Sequence, residues 1–361
     1  MKMRFCAVLV AVAASAVIAS PPPTPPAQPD RGFGGRDYRH GGYVMSSHGE
    51  AAAQFWIFEP DEPKPQAAPV VVFLHGWGAM NPGTYGRWIE HLARRGHIVI
   101  YPRYQVGWLT PGETVTDAAM VAVKAALALL DEPGHVKPQV AQLAVVGHSM
   151  GGVLAANFAA LAKEKDLPVP RAVTVLQPGI IRADDGGRVG MPLADLSKIA
   201  SETLMLVIVG DQDQVTGRAD GWTIFRGATA VPTANKNLLL MQSDFHGEPP
   251  LVADHRSPLS FDTEMFNRAR EDMAAAAPGK TAPEGDGKQQ EFGQAMLIWL
   301  AQDTVNALDH RGYWRLFDAL TAAAFDDGDK AAALGDTAAQ RDMGQWSDQT
   351  PVKSPKVTIT P

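Results

Sequence analysis

Cysteine is almost absent: among 361 residues only Cys6 carries a thiol. That excludes a disulfide framework, and it excludes a thiol nucleophile outside the N-terminal segment that holds Cys6. No Cys/His cluster with zinc spacing occurs, so a metal hydrolase is not expected. No glycine-rich loop ends in Gly-Lys-Ser/Thr, which removes the usual cradle for a nucleotide phosphate. No cofactor is therefore expected. Basic residues are fewer than acidic ones, 32 against 39, for a formal net charge of −7. A basic face for nucleic acid or anionic lipid does not follow from such a balance. No internal repeat or coiled-coil heptad is found. With 45% hydrophobic and 20% charged residues, the chain has enough apolar surface for one large core.

The N-terminus stands apart from the rest. Met1-Lys2-Met3-Arg4 is a short basic region, and residues 5–19 form an apolar run ending in small side chains. This run is short for a membrane span and has the form of a secretory signal, cut near Ala19 or Ser20. Residues 1–20 are thus expected to be a signal peptide, the mature protein secreted or periplasmic, and no stable membrane span to remain after cleavage. Loss of Lys2 and Arg4 would take the formal charge to −9. Residues 21–41, rich in proline and glycine, are expected to be a stiff linker.

Within the remainder, Gly147-His148-Ser149-Met150-Gly151-Gly152 follows an apolar run at 142–146 and precedes a good helix sequence at 153–161. A serine on a tight strand-to-helix turn takes a strained backbone conformation, and only small neighbours leave room for it. The turn lifts the Ser149 hydroxyl above the sheet and aims the first N–H groups of the helix at an oxyanion. A serine hydroxyl also needs a positioned base. The strand at 69–74 ends in His75-Gly76-Trp77-Gly78, whose Trp77 N–H, with that of Met150, can form an oxyanion hole. The strand at 203–209 ends in Gly210-Asp211-Gln212-Asp213. Asp213 is the chosen acid and Asp211 its competitor, because Asp213 lies further into the loop. The strand at 237–242 is followed by Ser243-Asp244-Phe245-His246-Gly247, which puts His246 at the carboxyl edge, where open α/β sheets bind ligands. His255 is the rival base. His246 is preferred because it follows a strand closely, and rigid elements hold a base better than loops.

These motifs, in the order nucleophile, acid, histidine, resemble those of the α/β-hydrolase superfamily, among its secreted esterases and lipases. The resemblance spans about residues 42–247. It implies an α/β fold with a doubly wound, mostly parallel sheet flanked by helices, and a serine hydrolase acting on a small-molecule or lipid-like ester. Ser149 would form the acyl-enzyme, with His246 as base and Asp213 as orienting acid. An amidase, a peptidase or a lactone hydrolase on the same residues is the alternative; a non-catalytic binding protein of the same fold is a further one. Tyr104, Trp108 and Trp222 are candidates for the substrate pocket.

Strands alternating with helical runs predict the same doubly wound sheet. Residues 43–46 and 54–58 are expected to pair antiparallel, with further strands at 97–101 and 172–176. Helices are expected at 82–95, 116–130, 291–308 and 313–325. The domain is expected to cover 42–334, with 247–290 as an insertion or cap containing a helix at 260–277, and 335–361 as an extended tail in which Trp346 can dock.

Overall fold

The computed structural model describes residues 20–180, 190–276, 305–326 and 328–360. The expected signal peptide lies, but for Ser20, outside the described residues, as do the end of the 247–290 insertion and most of the helix expected at 291–308. Among the described residues no helix is long and apolar enough to cross a membrane.

Among the described residues nine strands form one sheet in the order β1-β2-β4-β3-β5-β6-β7-β8-β9. The first two, β1 (Gly42–His48) and β2 (Phe55–Asp61), pair antiparallel, and β2 runs antiparallel to β4 (Ile98–Pro102). From β4 onward the pairing is parallel, through β3 (Ala67–Leu74), β5 (Lys137–His148), β6 (Ala172–Leu176), β7 (Leu204–Gly210) and β8 (Lys236–Met241). A short β9 (Lys356–Thr358) closes the far edge antiparallel to β8.

The central strands are continuous apolar runs because both faces are covered. Successive residues divide between two cores: Val71, Phe73, Ala144, Val146, Leu206 and Ile208 point into one, and Val70, Val72, Leu143, Val145, Met205 and Val207 into the other. The first core is completed by α1 (Gly86–Arg94) with Trp88 and Leu92, by α5 (Thr263–Ala275) with Met265, and by α6 (Trp314–Phe325) with Trp314 and Phe317. The second is completed by α2 (Gly112–Leu130), α3 (Met150–Leu161) and α4 (Ala219–Gly227). Helices on both faces of a parallel sheet are the doubly wound arrangement, and they leave the carboxyl ends of β3, β5, β6, β7 and β8 side by side along one edge.

Several expectations need correction. The segment at 21–41 is no free spacer. The Pro23 carbonyl accepts from Glu248 N–H, Thr24 exchanges hydrogen bonds with Ser347, and Gly34 N–H donates to buried Asp318. In the tail at 335–361 Trp346 is docked, fully buried with its indole N–H donating to Asp244. The helix of the 247–290 segment does not cover the Ser149 loop. Its contacts run to Met45, Trp56 and Asn81, so α5 packs as part of the helix layer beside α1.

Candidate active site

Ser149 stands between β5 and α3 at φ 58°, ψ −124°, a strained region for a residue with a side chain. Its neighbours permit it. A Cβ on Gly147 would come 1.9 Å from the Gly151 carbonyl oxygen, and one on Gly151 would come 2.1 Å from that of Leu74. The turn is tied down by Ser149 N–H donating to the Leu176 carbonyl at 2.9 Å, so the end of β6 holds it as well.

The neighbouring turn, 75–78, meets Ser149 directly: a Cβ on Gly76 would lie 3.2 Å from that of Ser149. Three aromatic hydroxyls and one amide fix this turn and the residue after it. Tyr104 O–H donates to the His75 carbonyl at 2.5 Å, Tyr85 oxygen accepts Gly76 N–H at 3.0 Å, Gln105 Oε1 accepts Gly78 N–H at 2.9 Å, and Tyr101 O–H donates to the Ala79 carbonyl at 2.5 Å. The His75 ring is stacked on Tyr104 at 4.0 Å. Among the described residues neither Trp77 N–H nor Met150 N–H has a hydrogen-bond partner. Both are therefore free to donate to a substrate atom.

Three side chains meet at this edge, Ser149 and Asp213 just past the ends of β5 and β7, and His255 on a loop beyond β8. His255 Nε2 is 3.0 Å from Ser149 Oγ, and His255 Nδ1 is 2.9 Å from Asp213 Oδ2. A carboxylate only accepts, so Nδ1 carries the proton and Nε2 faces the serine hydroxyl as an acceptor. Asp213 also accepts from Val215 N–H, Thr216 N–H and the Thr216 hydroxyl, at 2.9, 3.0 and 2.9 Å. Burial pushes the Asp213 carboxyl up, but the hydrogen bond and charge of His255, with the bonds from Thr216, outweigh it and hold the carboxyl at about 2. It is thus ionised throughout the range in which an imidazole titrates. All three groups are buried, Ser149 at 8%, His255 at 6% and Asp213 at 7% exposure.

The structure does not bring His246 to this cluster. Its Nε2 pairs with Asp348 at 2.8 Å, on a side chain 36% exposed. The sheet order explains why. β8 stands three strands from β5, about 14 Å at ordinary strand spacing, so a histidine just past β8 remains at the wrong side of the edge. The chain must run back across the strand ends, and the segment at 251–259 does this. Leu251 bridges to Asp244; Ala253 N–H donates to the Ser243 hydroxyl and its carbonyl accepts Gln212 N–H over the end of β7; the His255 carbonyl then meets His148 at the end of β5. Asp211 serves that path as well, accepting from both the N–H and the hydroxyl of Ser243. Its role is to secure the return loop. The return path passes close over the end of β7, where a Cβ on Gly210 would come 2.2 Å from the Ala253 carbonyl oxygen.

The aromatic candidates divide. Tyr104 is fully buried beneath the 75–78 turn, its hydroxyl donating to the His75 carbonyl. Trp222 lies in α4, a helix the sequence reading omitted, with its ring against Phe225 and under the Arg226 guanidinium. Trp108 does reach the edge, its ring lying where a Cβ on Gly78 would come within 2.0 Å. Exposed Val106 and Leu109 share its loop. Sequence reasoning also missed Tyr85, whose partner His148 is distant in the chain, and Thr216, which lies three residues past Asp213 and was within reach of a local reading.

The Chlorophyllase family model matches residues 44–176, from β1 to the end of β6, less than half of the chain. It includes the 75–78 turn and Ser149 and stops before Asp213 and His255. No curated protein sequence gives a significant match. Solved structures similar to this chain include one from work on two fungal esterases of Rhizomucor miehei, at 14% identity and TM-score 0.45, covering 73% of this chain and 85% of that one. Another is a thermostable esterase from Pseudomonas putida, at 20% identity and TM-score 0.46, covering 65% of this chain and 83% of that one. Similarity at this level assigns no activity.

Proposed function

We propose that the chain is a serine hydrolase of the α/β-hydrolase type, cleaving carboxylic esters through an acyl-enzyme on Ser149. The observation that carries this reading is the line from Ser149 Oγ through His255 to Asp213, at 3.0 and 2.9 Å. The family match ends before the acid and the base, so their roles rest on geometry alone.

In this reading Ser149 Oγ attacks the acyl carbon while His255 Nε2 takes its proton. Asp213 keeps the proton of Nδ1 in place and stabilises the imidazolium. The carbonyl oxygen becomes an oxyanion, received by the free N–H groups of Trp77 and Met150; each such donor is worth about 3 kcal/mol in the transition state. His255 returns its proton to the leaving alkoxide, then activates a water that releases the acid from Ser149. Trp77, Trp108, Val106 and Leu109 suit an apolar acyl or aryl group at the entrance.

A fluorophosphonate probe with p-nitrophenyl esters of increasing acyl length tests this. Wild-type protein is expected to be labelled at Ser149 and to turn the esters over, while a folded Ser149→Ala variant takes no label and loses about 10⁶ in kcat. A Ser149→Ala variant keeping a tenth of the wild-type rate would overturn the proposal.

A further inference from the structure

Beneath the triad lies a polar line that hydrolysis itself does not use. His148, 3% exposed, has Nε2 2.8 Å from the His255 carbonyl oxygen and Nδ1 2.9 Å from the Tyr85 hydroxyl. A carbonyl oxygen only accepts, so Nε2 carries the His148 proton. Burial, then the neighbouring His255, holds this imidazole down to about 3, so the ring is neutral and Nδ1 must accept. The Tyr85 hydroxyl therefore donates to Nδ1, and its oxygen accepts Gly76 N–H at 3.0 Å. Every donor and acceptor direction along the line is fixed. It begins on the backbone of the turn that presents Trp77 N–H and ends on the backbone of the residue that carries the base.

We infer that Tyr85 and His148 are positioning residues, a relay that sets the distance between the oxyanion turn and His255. The inference rests on the serine-hydrolase reading. Burying a tyrosine hydroxyl and an imidazole costs free energy that an apolar pair would not. The return is orientation, since His255 sits where no helix or strand holds it and is secured by bonds to its flanking backbone. A displacement of about 1 Å at such a site can cost roughly a hundredfold in rate.

The variants are Tyr85→Phe, His148→Leu and His148→Gln, compared per active site by fluorophosphonate titration, with thermal midpoints recorded alongside. Tyr85→Phe and His148→Leu are expected to lower kcat per titrated site by about 10- to 100-fold with KM within about threefold. Affinity for a phenylboronic acid, which imitates the tetrahedral intermediate, should fall in step with kcat/KM. His148→Gln, which keeps an N–H near the Nε2 position, should recover about tenfold over His148→Leu. If the variants lose only thermal stability or the fraction of titratable sites, with kcat per site at the wild-type value, the relay is overturned and the serine-hydrolase reading stands. A wild-type protein that takes no label at Ser149 overturns both.

Discussion

His255 and His246 occupy one stretch between β8 and α5, yet only one reaches Ser149. What separates them is the path of the backbone. His246 ends on an exposed pair with Asp348, whereas His255 is buried between Ser149 and Asp213. His255→Ala is expected to cost about as much as loss of the serine, near 10⁶ in kcat, while His246→Ala should change it by less than about threefold, in keeping with a surface substitution. Asp213→Asn should lose about 10⁴, because the amide lets the imidazole turn to the wrong tautomer. Steady-state kinetics on the folded variants decide among these, and an inactive His246→Ala with an active His255→Ala would reverse the assignment. The pH profile follows from the same contacts. An imidazole that must accept a proton is lost as catalyst when pH falls and it protonates. Asp213, held at about 2, adds nothing to that acid limb until far lower pH. One proton should therefore describe the decline of kcat/KM on the acid side.

At the scale of elements, the sheet was legible because its strands are buried on both faces and read as apolar runs at 70–74, 143–146 and 204–209. Ser149 and Asp213 were legible for the related reason that each follows such a run closely, so the strand end fixes the side chain. His255 was not, since its place depends on strand order and on bonds to Ser243, Gln212 and His148 that no local pattern announces. α4 was missed because its nine residues, Ala-Asp-Gly-Trp-Thr-Ile-Phe-Arg-Gly, include two glycines and a threonine, all poor helix formers. β9 was missed because three residues form a strand only where β8 offers a free edge. The return loop gives a prediction of its own. A Cβ on Gly210 would meet the Ala253 carbonyl at 2.2 Å, and backbone must move to admit it. Gly210→Ala should thus displace His255 and cut kcat roughly a hundredfold. Gly107→Ala, which meets nothing within 4 Å, should leave both kcat and thermal midpoint near wild type. Equal activity of the two variants would show that the loop yields without moving the base.

For the molecule as a whole, the packing that orders the site also sets its tolerance of acid. His75, His148 and His310 are all under a tenth exposed. Burial holds each imidazole well below its ordinary value, His75 and His310 to about 4 and His148 to about 3; Arg311 adds to the effect at His310 and His255 at His148. Unfolding returns them to about 6.5. Above that pH neither state binds the protons, and stability is complete. Between about 6.5 and 4 the unfolded chain takes up protons the folded chain refuses, so stability falls by about 1.4 kcal/mol per pH unit for each histidine. Urea denaturation at pH 7.5 and 5.0 should accordingly show a markedly lower midpoint at the acid pH, with uptake of about four protons on unfolding, because burial holds His97 down to about 4 as well. His310 lies outside the site, and its buried Nδ1 has no partner. His310→Leu should therefore leave kcat unchanged while reducing the proton uptake by about one and flattening the dependence of the midpoint on pH. Midpoints that coincide at the two pH values would mean that these histidines are protonated within the folded protein, and the acid limb of the activity profile would then need a second titrating group.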